Sequence, residues 1–273
     1  PGVGALVQLA RLFEKRGAAS SAEGLVAALT RLGPSYIKLG QFMATRPDVV
    51  GVRVARDLEK LQDRIPPFGR AAATKEIEES FGKSLDELYS DFSEPIAAAS
   101  IAQVHRARTR DGSTVAVKVL RPGVRTRFRR DLAAMAYAAE VMEEFSAEAR
   151  RLKFVDVVET LKRSVTMEMD LRLEAAALSE MAENARDDAE FHVPSVNWDL
   201  TARDVVTMEW IDGIPLHDLD AIVAAGHDRI GLGRIVIQSF LRHALRDGFF
   251  HADMHPGNLF VDASGRLCAV DLG

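Results

Sequence analysis

Apolar positions recur at intervals of three and four through the first part of the chain, to about Arg64, with breaks at Gly33-Pro34 and at Pro47. Such spacing lines one face of a helix, so a run of helices is predicted there, punctuated by residues that cannot continue one. Pro66-Pro67 closes the run, because proline has no amide to give to a further turn. Residues 70–90 resume the same period, with Ile77, Phe81, Leu85 and Leu88 three or four apart, and read as one amphipathic helix. The period then shifts to two. Residues 96–108, a turn at Asp111-Gly112 and residues 114–120 read as a β-hairpin, with β-branched runs on either side of a glycine turn. An Ala/Glu/Arg/Leu-rich region over about 126–189 reads as helical, residues 204–210 as β-rich and residues 229–247 as helical again. Residues 259–261 and 267–270 suggest a second small hairpin around Ser264-Gly265. The sequence shows no internal repeat. Its order of helices, β-rich lobe, helices and loop-rich end predicts an α+β fold.

Composition narrows the function classes. With 47% apolar and 27% charged residues the balance is that of an ordinary globular protein. The 273 residues suffice for one large domain or for two lobes around a cleft. A net charge of −5 argues against a general nucleic-acid binder, whose phosphate contacts need a basic surface. The single cysteine, Cys268, excludes an internal disulfide framework and fits a reducing compartment. No run approaches the roughly 18 apolar residues of a membrane-spanning helix, and no signal peptide is visible. A chain that begins at Pro1 and stops at Gly273, inside a motif, is expected to be a fragment.

The strongest chemistry lies near the end. His251-Ala252-Asp253-Met254-His255-Pro256-Gly257-Asn258 is followed by Val270-Asp271-Leu272-Gly273. Asn258 stands five positions after Asp253, and Asp271 thirteen after Asn258. In kinase-type phosphoryl transfer an Asp orients the attacking hydroxyl, an Asn five positions on binds magnesium, and a second metal-binding Asp sits in a D-F-G triplet. Here the triplet is D-L-G. Two carboxylates and an amide suit a hard cation such as Mg2+ bridging phosphate oxygens. A single Asp or Asn would be an ordinary turn residue; the joint spacing selects the chemistry. A zinc site at His251 and His255 is disfavoured, since Pro256-Gly257 prevents a shared helix and the Glu of H-E-x-x-H is missing.

Further upstream, Val115-Ala116-Val117-Lys118 fits the strand whose lysine pairs with nucleotide phosphates. Before it, Ile96-Ala97-Ala98-Ala99-Ser100-Ile101-Ala102-Gln103-Val104 matches the hydrophobic ends of the kinase phosphate loop, with alanine at the three glycine positions, 97, 99 and 102. A methyl group restricts the backbone and hinders close approach to phosphate, so a nucleotide loop of altered geometry is predicted. In Glu168-Met169-Asp170-Leu171-Arg172-Leu173-Glu174, read as helical, Asp170 and Glu174 share a face, and Glu174 is the expected partner of Lys118. Thr207-Met208-Glu209-Trp210-Ile211-Asp212-Gly213 ends a strand at a turn. That is the order of a hinge whose backbone groups, at Glu209 and Ile211, meet an adenine edge.

Tyr36-Ile37-Lys38-Leu39-Gly40-Gln41 resembles the K-x-G-Q signature of the UbiB family, atypical kinases of ubiquinone biosynthesis. The alanine loop, the E-x-D at Glu168 and Asp170, Glu174, and H-x-D-x-H-P-G-N match that family too, so the resemblance runs from about Leu32 to Gly273. It implies a bilobal protein-kinase-like fold in three parts. Residues 1–90 would be a helical extension carrying K-x-G-Q, 91–210 an upper lobe with inserted helices, and 211–273 the start of a lower lobe expected to be incomplete in this chain. Asp253 is implied as catalytic and Lys118 with Glu174 as the nucleotide ion pair. Residues 96–104, Lys118, Glu209 and Ile211 would bind nucleotide, and Asn258 and Asp271 metal. Lys38, Gly40 and Gln41, with Glu168 and Asp170, are implied to be regulatory, the extension closing the groove where a protein substrate would bind. ATP or ADP and Mg2+ are the implied cofactors. Quinone-biosynthesis proteins and membrane lipid are the implied partners, and the cytoplasmic face of a bacterial inner membrane the implied location.

The implied activity is ATP hydrolysis or atypical phosphoryl transfer rather than general protein phosphorylation. Two other classes compete. A small-molecule phosphotransferase of the aminoglycoside or choline kinase type shares the H-x-D-x-x-x-x-N loop, but K-x-G-Q and the triple alanine count against it. A nucleotide-sensing scaffold would bind ATP, change shape and organise biosynthetic enzymes without useful turnover; the presence of Lys118, Glu174, Asp253, Asn258 and Asp271 together leans against a dead site. Arg121, Arg125, Arg127, Arg129 and Arg130 form a basic cluster that reads either as a contact for anionic lipid headgroups or as a solvated helix start.

Overall fold

The computed structural model describes residues 21–59, 61 and 65–272. The helical expectation for residues 1–20 and for positions 60 and 62–64 lies outside the described residues, as does Gly273 of the D-L-G triplet. The chain forms two compact units, Pro1–Ile65 with Gly123–Val165, and Pro66–Pro122 with Thr166–Gly273.

In the first unit the breakers divide the helices where the pattern places them: α1 (Ser21–Leu32), α2 (Pro34–Ala44), α3 (Pro47–Val50) and α4 (Val52–Leu58). Pro34 and Pro47 each sit in the first turn of a helix, where a missing amide costs nothing. Gly40, in the middle of α2, is required for space. A Cβ there would collide with the side chains of Leu61 and Leu29 and come within 3.6 Å of Leu58.

The second unit begins with α5 (Arg70–Phe81), which stops at Gly82; its φ of 64° is a left-handed cap that side chains resist. Ser84 and Glu87 then form a capping box for a separate short helix, α6 (Leu85–Leu88). The single helix predicted over 70–90 is therefore two, because local cap chemistry interrupts an unbroken apolar period. Three antiparallel strands follow, β1 (Tyr89–Ala98), β2 (Ala102–Thr109) and β3 (Thr114–Leu120), where the pattern predicts one hairpin. The run over 96–108 is split by a turn in which Ala99 N–H donates to Ala102 O at 2.8 Å. Pro95 and the alanines disguise β1 in the sequence, and the strand tolerates the proline because it lies at the sheet edge.

The helical region predicted over 126–189 divides into α7 (Val124–Phe145), α8 (Ala147–Leu152), α9 (Phe154–Glu168) and α10 (Leu171–Asn184). α7, α8 and α9 as far as Val165 belong to the first unit and α10 to the second. Arg127 of α7 donates to Leu32 O at 2.7 Å, satisfying a carbonyl that the end of α1 leaves open. Asp170 is the N-cap of α10, its carboxylate accepting the Arg172 amide at 3.3 Å. The segment from Glu168 to Glu174 is thus a junction between two helices. The shared helical face predicted for Asp170 and Glu174 does not form, because Asp170 serves as a cap.

After α10 come β4 (Phe191–His192), β5 (Val205–Glu209), β6 (Gly213–Pro215), α11 (Leu219–Ala224) and α12 (Arg229–Arg242). The helix predicted over 229–247 is α12 plus one π-helical turn, His243–Asp247. The expected hairpin around Ser264-Gly265 joins β7 (Leu259–Asp262) to β8 (Leu267–Ala269). One sheet runs β1-β2-β3-β5 and the other β4-β8-β7-β6. Val115, Val117 and Val119 of β3 and Val205 of β5 share a core with Ile77, Leu85, Leu88, Tyr89 and Phe92. Burial of each such large side chain contributes about 1.5–3 kcal/mol, which fixes the first sheet against α5 and α6.

The π turn has a structural role that the sequence did not signal. It brings His243 and Arg246, with Arg242, onto the buried Asp188 just after α10. His243 Nε2, Arg246 and Arg242 each donate to its carboxylate at 3.0 Å. Burial alone would raise the Asp188 carboxyl, but these donors outweigh it and hold the group below the usual carboxylate range. Among the described residues no helix is long and apolar enough to cross a membrane.

Candidate active site

The two-residue period of β3 buries Val115, Val117 and Val119 on the core face, so Lys118 projects from the opposite one. On α10 the buried stripe is Leu171, Glu174, Ala175, Leu178 and Met181, an apolar face with one acid set into it. The two anomalies meet. Lys118 Nζ donates to Glu174 Oε1 at 2.8 Å and to Asp271 Oδ1 at 2.9 Å. The side chains are 13% exposed for Lys118, 5% for Glu174 and 49% for Asp271, so a dry pair ends at a half-open carboxylate.

Burial on its own would lower the Lys118 pKa, but the charges of Asp271 and Glu174 overcome it and hold the ammonium above its ordinary value. Burial pushes the Glu174 carboxyl up, opposed by the Lys118 charge. Asp271 has φ 60°, in the left-handed region that a non-glycine residue enters at a cost.

The loop over 251–258 supplies the rest. Asn258 Nδ2 donates to Asp253 O at 3.2 Å, and Val270 N–H donates to Asn258 O at 2.9 Å. That bond ties the Asn258 amide nitrogen to the loop and leaves the side-chain oxygen as its acceptor. Asp253 itself is exposed, with His255 Nε2 3.8 Å from Oδ2. The two histidines of the motif do not converge. His251 is buried, its ring Nδ1 accepting the Asp253 amide at 3.3 Å, and burial lowers its pKa. His255 is exposed and accepts the Gly257 amide at 2.9 Å. Among the described residues no three His, Cys, Asp or Glu side chains gather as a metal site. The oxygen donors of Asp271 and Asn258 fit a hard cation that takes its remaining ligands from phosphate oxygens.

The alanine segment spans the end of β1, the turn and the start of β2. Ile96 and Ala97 at the end of β1 are exposed, Ala98 and Ala99 half-buried, and Ser100, Ile101, Ala102 and Gln103 buried, with Val104 half-buried on β2. The Gln103 side chain is committed elsewhere. It accepts from Phe68 N at 3.0 Å, donates to Phe68 O at 3.1 Å and lies 2.8 Å from His105 Nε2. His105 in turn sits 2.9 Å from Ser93 O and stacks on Phe92 at 4.3 Å. Arg121 reaches the same segment, donating to Ala99 O at 3.1 Å and Pro66 O at 3.2 Å with its guanidinium over Phe68. The basic cluster read from the sequence is divided between the two units. Arg121 is spent inside the second unit, Arg127 caps α1, and Arg125, Arg127, Arg129 and Arg130 belong to the first unit.

At the other end of the sheet, Glu209 closes β5 and Ile211 follows it, half-buried. The Glu209 carboxylate is held by His192 Nε2 at 3.0 Å, Ser195 N–H at 3.1 Å and Ser195 Oγ at 3.3 Å. These bonds, that from His192 first, hold it below the usual carboxylate range. Sequence reasoning missed His192 and Ser195. Neither stands in a motif, and they reach Glu209 only through the loop that returns along β5. Of the residues that the resemblance implies to be regulatory, Lys38, Gly40 and Gln41 lie on α2 in the first unit, while Glu168 and Asp170 belong to the second. Asp170 is bonded by Arg172 Nε at 2.9 Å as well as by the Arg172 amide.

Residues 60–273 match the profile of the ABC1 atypical kinase-like domain. A "Probable protein kinase UbiB" of Marinobacter nauticus is 40% identical over 259 residues, covering 93% of this chain and 47% of that protein. Another of the same name, from Azotobacter vinelandii, is 42% identical over 251 residues, covering 90% and 47%. The chain spans about half the length of these curated relatives. The solved complex of Rv3197 from Mycobacterium tuberculosis with erythromycin has a TM-score of 0.63 and 31% identity, covering 97% of this chain and 65% of that one. The fold is mixed α+β and kinase-like, and the UbiB resemblance read from K-x-G-Q and the alanine loop holds. A profile match over residues 60–273 shows that this chain belongs to the ABC1 atypical kinase-like family.

Proposed function

We propose that this chain binds ATP with Mg2+ and carries the phosphoryl-transfer site of an atypical kinase or ATPase that supports ubiquinone biosynthesis. The observation that carries the reading is the convergence of Lys118, Glu174 and Asp271, with Lys118 Nζ at 2.8 and 2.9 Å from the two carboxylates. Glu174 fixes the ammonium in a dry pocket, where it is a preorganised charge for nucleotide phosphates. Asp271 and Asn258 would hold the metal, which supplies charge neutralisation at the phosphates. Asp253, exposed on the loop, would accept the proton of a water or an acceptor hydroxyl. Glu209 and Ile211 offer backbone groups to the base, and the loop over 96–104, alanine-rich where glycine would give more room, covers the phosphates.

On this reading Lys38, Gly40, Gln41, Glu168 and Asp170 regulate access, as the K-x-G-Q resemblance implies, and disfavour protein substrates. The same resemblance implies action at the cytoplasmic face of a bacterial inner membrane, among quinone-biosynthesis proteins. Phosphate release from ATP tests the reading. Slow, Mg2+-dependent release by the full chain, lost in both Asp253→Asn and Asp271→Asn, is the expected result. Equal release by wild type and both variants would show that these carboxylates have no part in it.

A further inference from the structure

α11 and α12 bound a space that the nucleotide reading leaves unused. A cavity of about 760 Å3 lies between them and the loop over 251–258, which reaches it at Pro256. All of these residues belong to the second unit. Gly226, with φ 82°, turns the chain from one helix into the next. Of the apolar side chains lining the cavity, Ile222 and Leu232 are buried, while Leu219 and Val223 are 46% and 54% exposed. Small-molecule sites run from about 300 to 1,000 Å3 and are mostly apolar with a few polar groups, so both the size and the lining fit one.

Gly233 bears on why the space is open. It lines the cavity in the second turn of α12, where glycine weakens a helix relative to alanine. Gly40 answers a close approach, by Leu29 and Leu61. A Cβ at Gly233 would instead meet no heavy atom of the described residues within 4 Å. The missing side chain leaves volume in the cavity rather than room for a neighbour.

The polar end of the cavity is the connection from α11 to α12, formed by His227, Asp228 and Arg229. Asp228 is the N-cap of α12, its carboxylate accepting the Ile230 amide at 3.0 Å, so its charge is set against the positive end of the helix. Among the described residues the side chains of Arg229 and His227 have no hydrogen-bond or ion-pair partner. The cavity therefore joins an apolar body to an end with an unmatched guanidinium and an imidazole.

We propose that this cavity binds a single-chain amphiphile of the fatty-acid class, its hydrocarbon against Leu219, Ile222, Val223 and Leu232 and its carboxylate at Arg229 and His227. Binding there does not depend on the nucleotide reading.

The probe is laurate, titrated below its micelle concentration into the full chain without nucleotide and followed by calorimetry, with decanoate and dodecanol for comparison. Saturable one-to-one binding of laurate is expected, at least about tenfold tighter than decanoate, since each buried methylene is worth about fourfold. It should also be about tenfold tighter than dodecanol, which has no charge for Arg229. Arg229→Gln should bring laurate within about threefold of dodecanol and leave dodecanol unchanged. Gly233→Leu fills the cavity without meeting a neighbour and favours the helix, so it should abolish binding and melt no lower than wild type. The proposal is overturned if laurate does not bind saturably, or if it binds Gly233→Leu as tightly as wild type. An Arg229→Gln chain that keeps the full preference over dodecanol overturns it too. So does a face given to another occupant: pelleting with phosphatidylglycerol vesicles, or sedimentation as a dimer, that Gly233→Leu abolishes and laurate does not compete.

Discussion

Replacing Lys118 by methionine removes the central charge and keeps most of the volume. Glu174 is then a carboxylate with a 5% exposed side chain, its one close cation gone and Asp271 nearby. Removing one partner of a buried ion pair costs about 3–5 kcal/mol, because the remaining charge stays buried. The second link, to the half-exposed Asp271, adds no more than about 1 kcal/mol. At about 2–4 °C per kcal/mol for a chain of this size, Lys118→Met is expected to melt about 6–24 °C below wild type at pH 7.5. The pH dependence carries the diagnosis. Burial already pushes the Glu174 carboxyl up, and without Lys118 nothing opposes that push. A group whose folded pKa is raised gives stability that is present in acid and lost as pH rises through that pKa. The variant therefore recovers toward wild type as pH falls from 7.5 toward 5. Melting curves at both pH values decide the matter. A loss below about 2 °C at pH 7.5, or one of the same size at pH 5, would refute the account of Lys118 as the counter-charge of a dry carboxylate.

Three other expectations follow from the packing. Gly40→Ala drives a methyl group into Leu61 and Leu29 and should destabilise the first unit by about 1–3 kcal/mol; urea unfolding measures it, and a neutral result would mean that α2 has room there. Gln103→Leu strands both backbone groups of Phe68 and the buried His105 Nε2, at about 1–3 kcal/mol for a group left unsatisfied, and should show as a lower melting temperature. Asp188→Asn should cost about 2–4 kcal/mol at neutral pH by leaving His243 and two arginines without their anion. The Asp188 pKa is depressed in the folded chain, so its contribution is present above the ordinary carboxylate range and lost as pH falls through the folded value; the variant and wild type should converge in strong acid.

The fold was legible where a pattern repeats and obscure where one residue decides. The β-branched run over 114–120 reads as a strand, and β3 stands there with its valines buried and Lys118 on the opposite face. The breakers Gly33-Pro34 and Pro47 divided α1, α2 and α3 as they stand in the structure. The helix over 70–90 was misread because Gly82 enters the left-handed region and Ser84 with Glu87 starts a new cap, while the apolar spacing runs on unchanged. β1 was missed because Pro95 and a run of alanine carry almost no strand propensity, and an edge position forgives them. At the site, motif spacing brought Lys118, Glu174, Asp271, Asp253 and Asn258 to attention. The positions of His192, Ser195 and Asp188 depend on contacts distant in sequence, with no local period to mark them. Gln103 shows the converse. It stands inside a recognised motif, yet its side chain fastens Phe68 to the sheet.

Binding of ATP to the full chain, titrated with and without Mg2+, tests the central claim most directly. The account predicts saturable one-to-one binding that tightens at least about tenfold with Mg2+ and loses that gain in Asp271→Asn, while Asp271→Asn melts close to wild type because the Asp271 carboxylate is half exposed. Absence of saturable binding by a folded wild-type chain would contradict it. So would a Mg2+ gain that survives in Asp271→Asn.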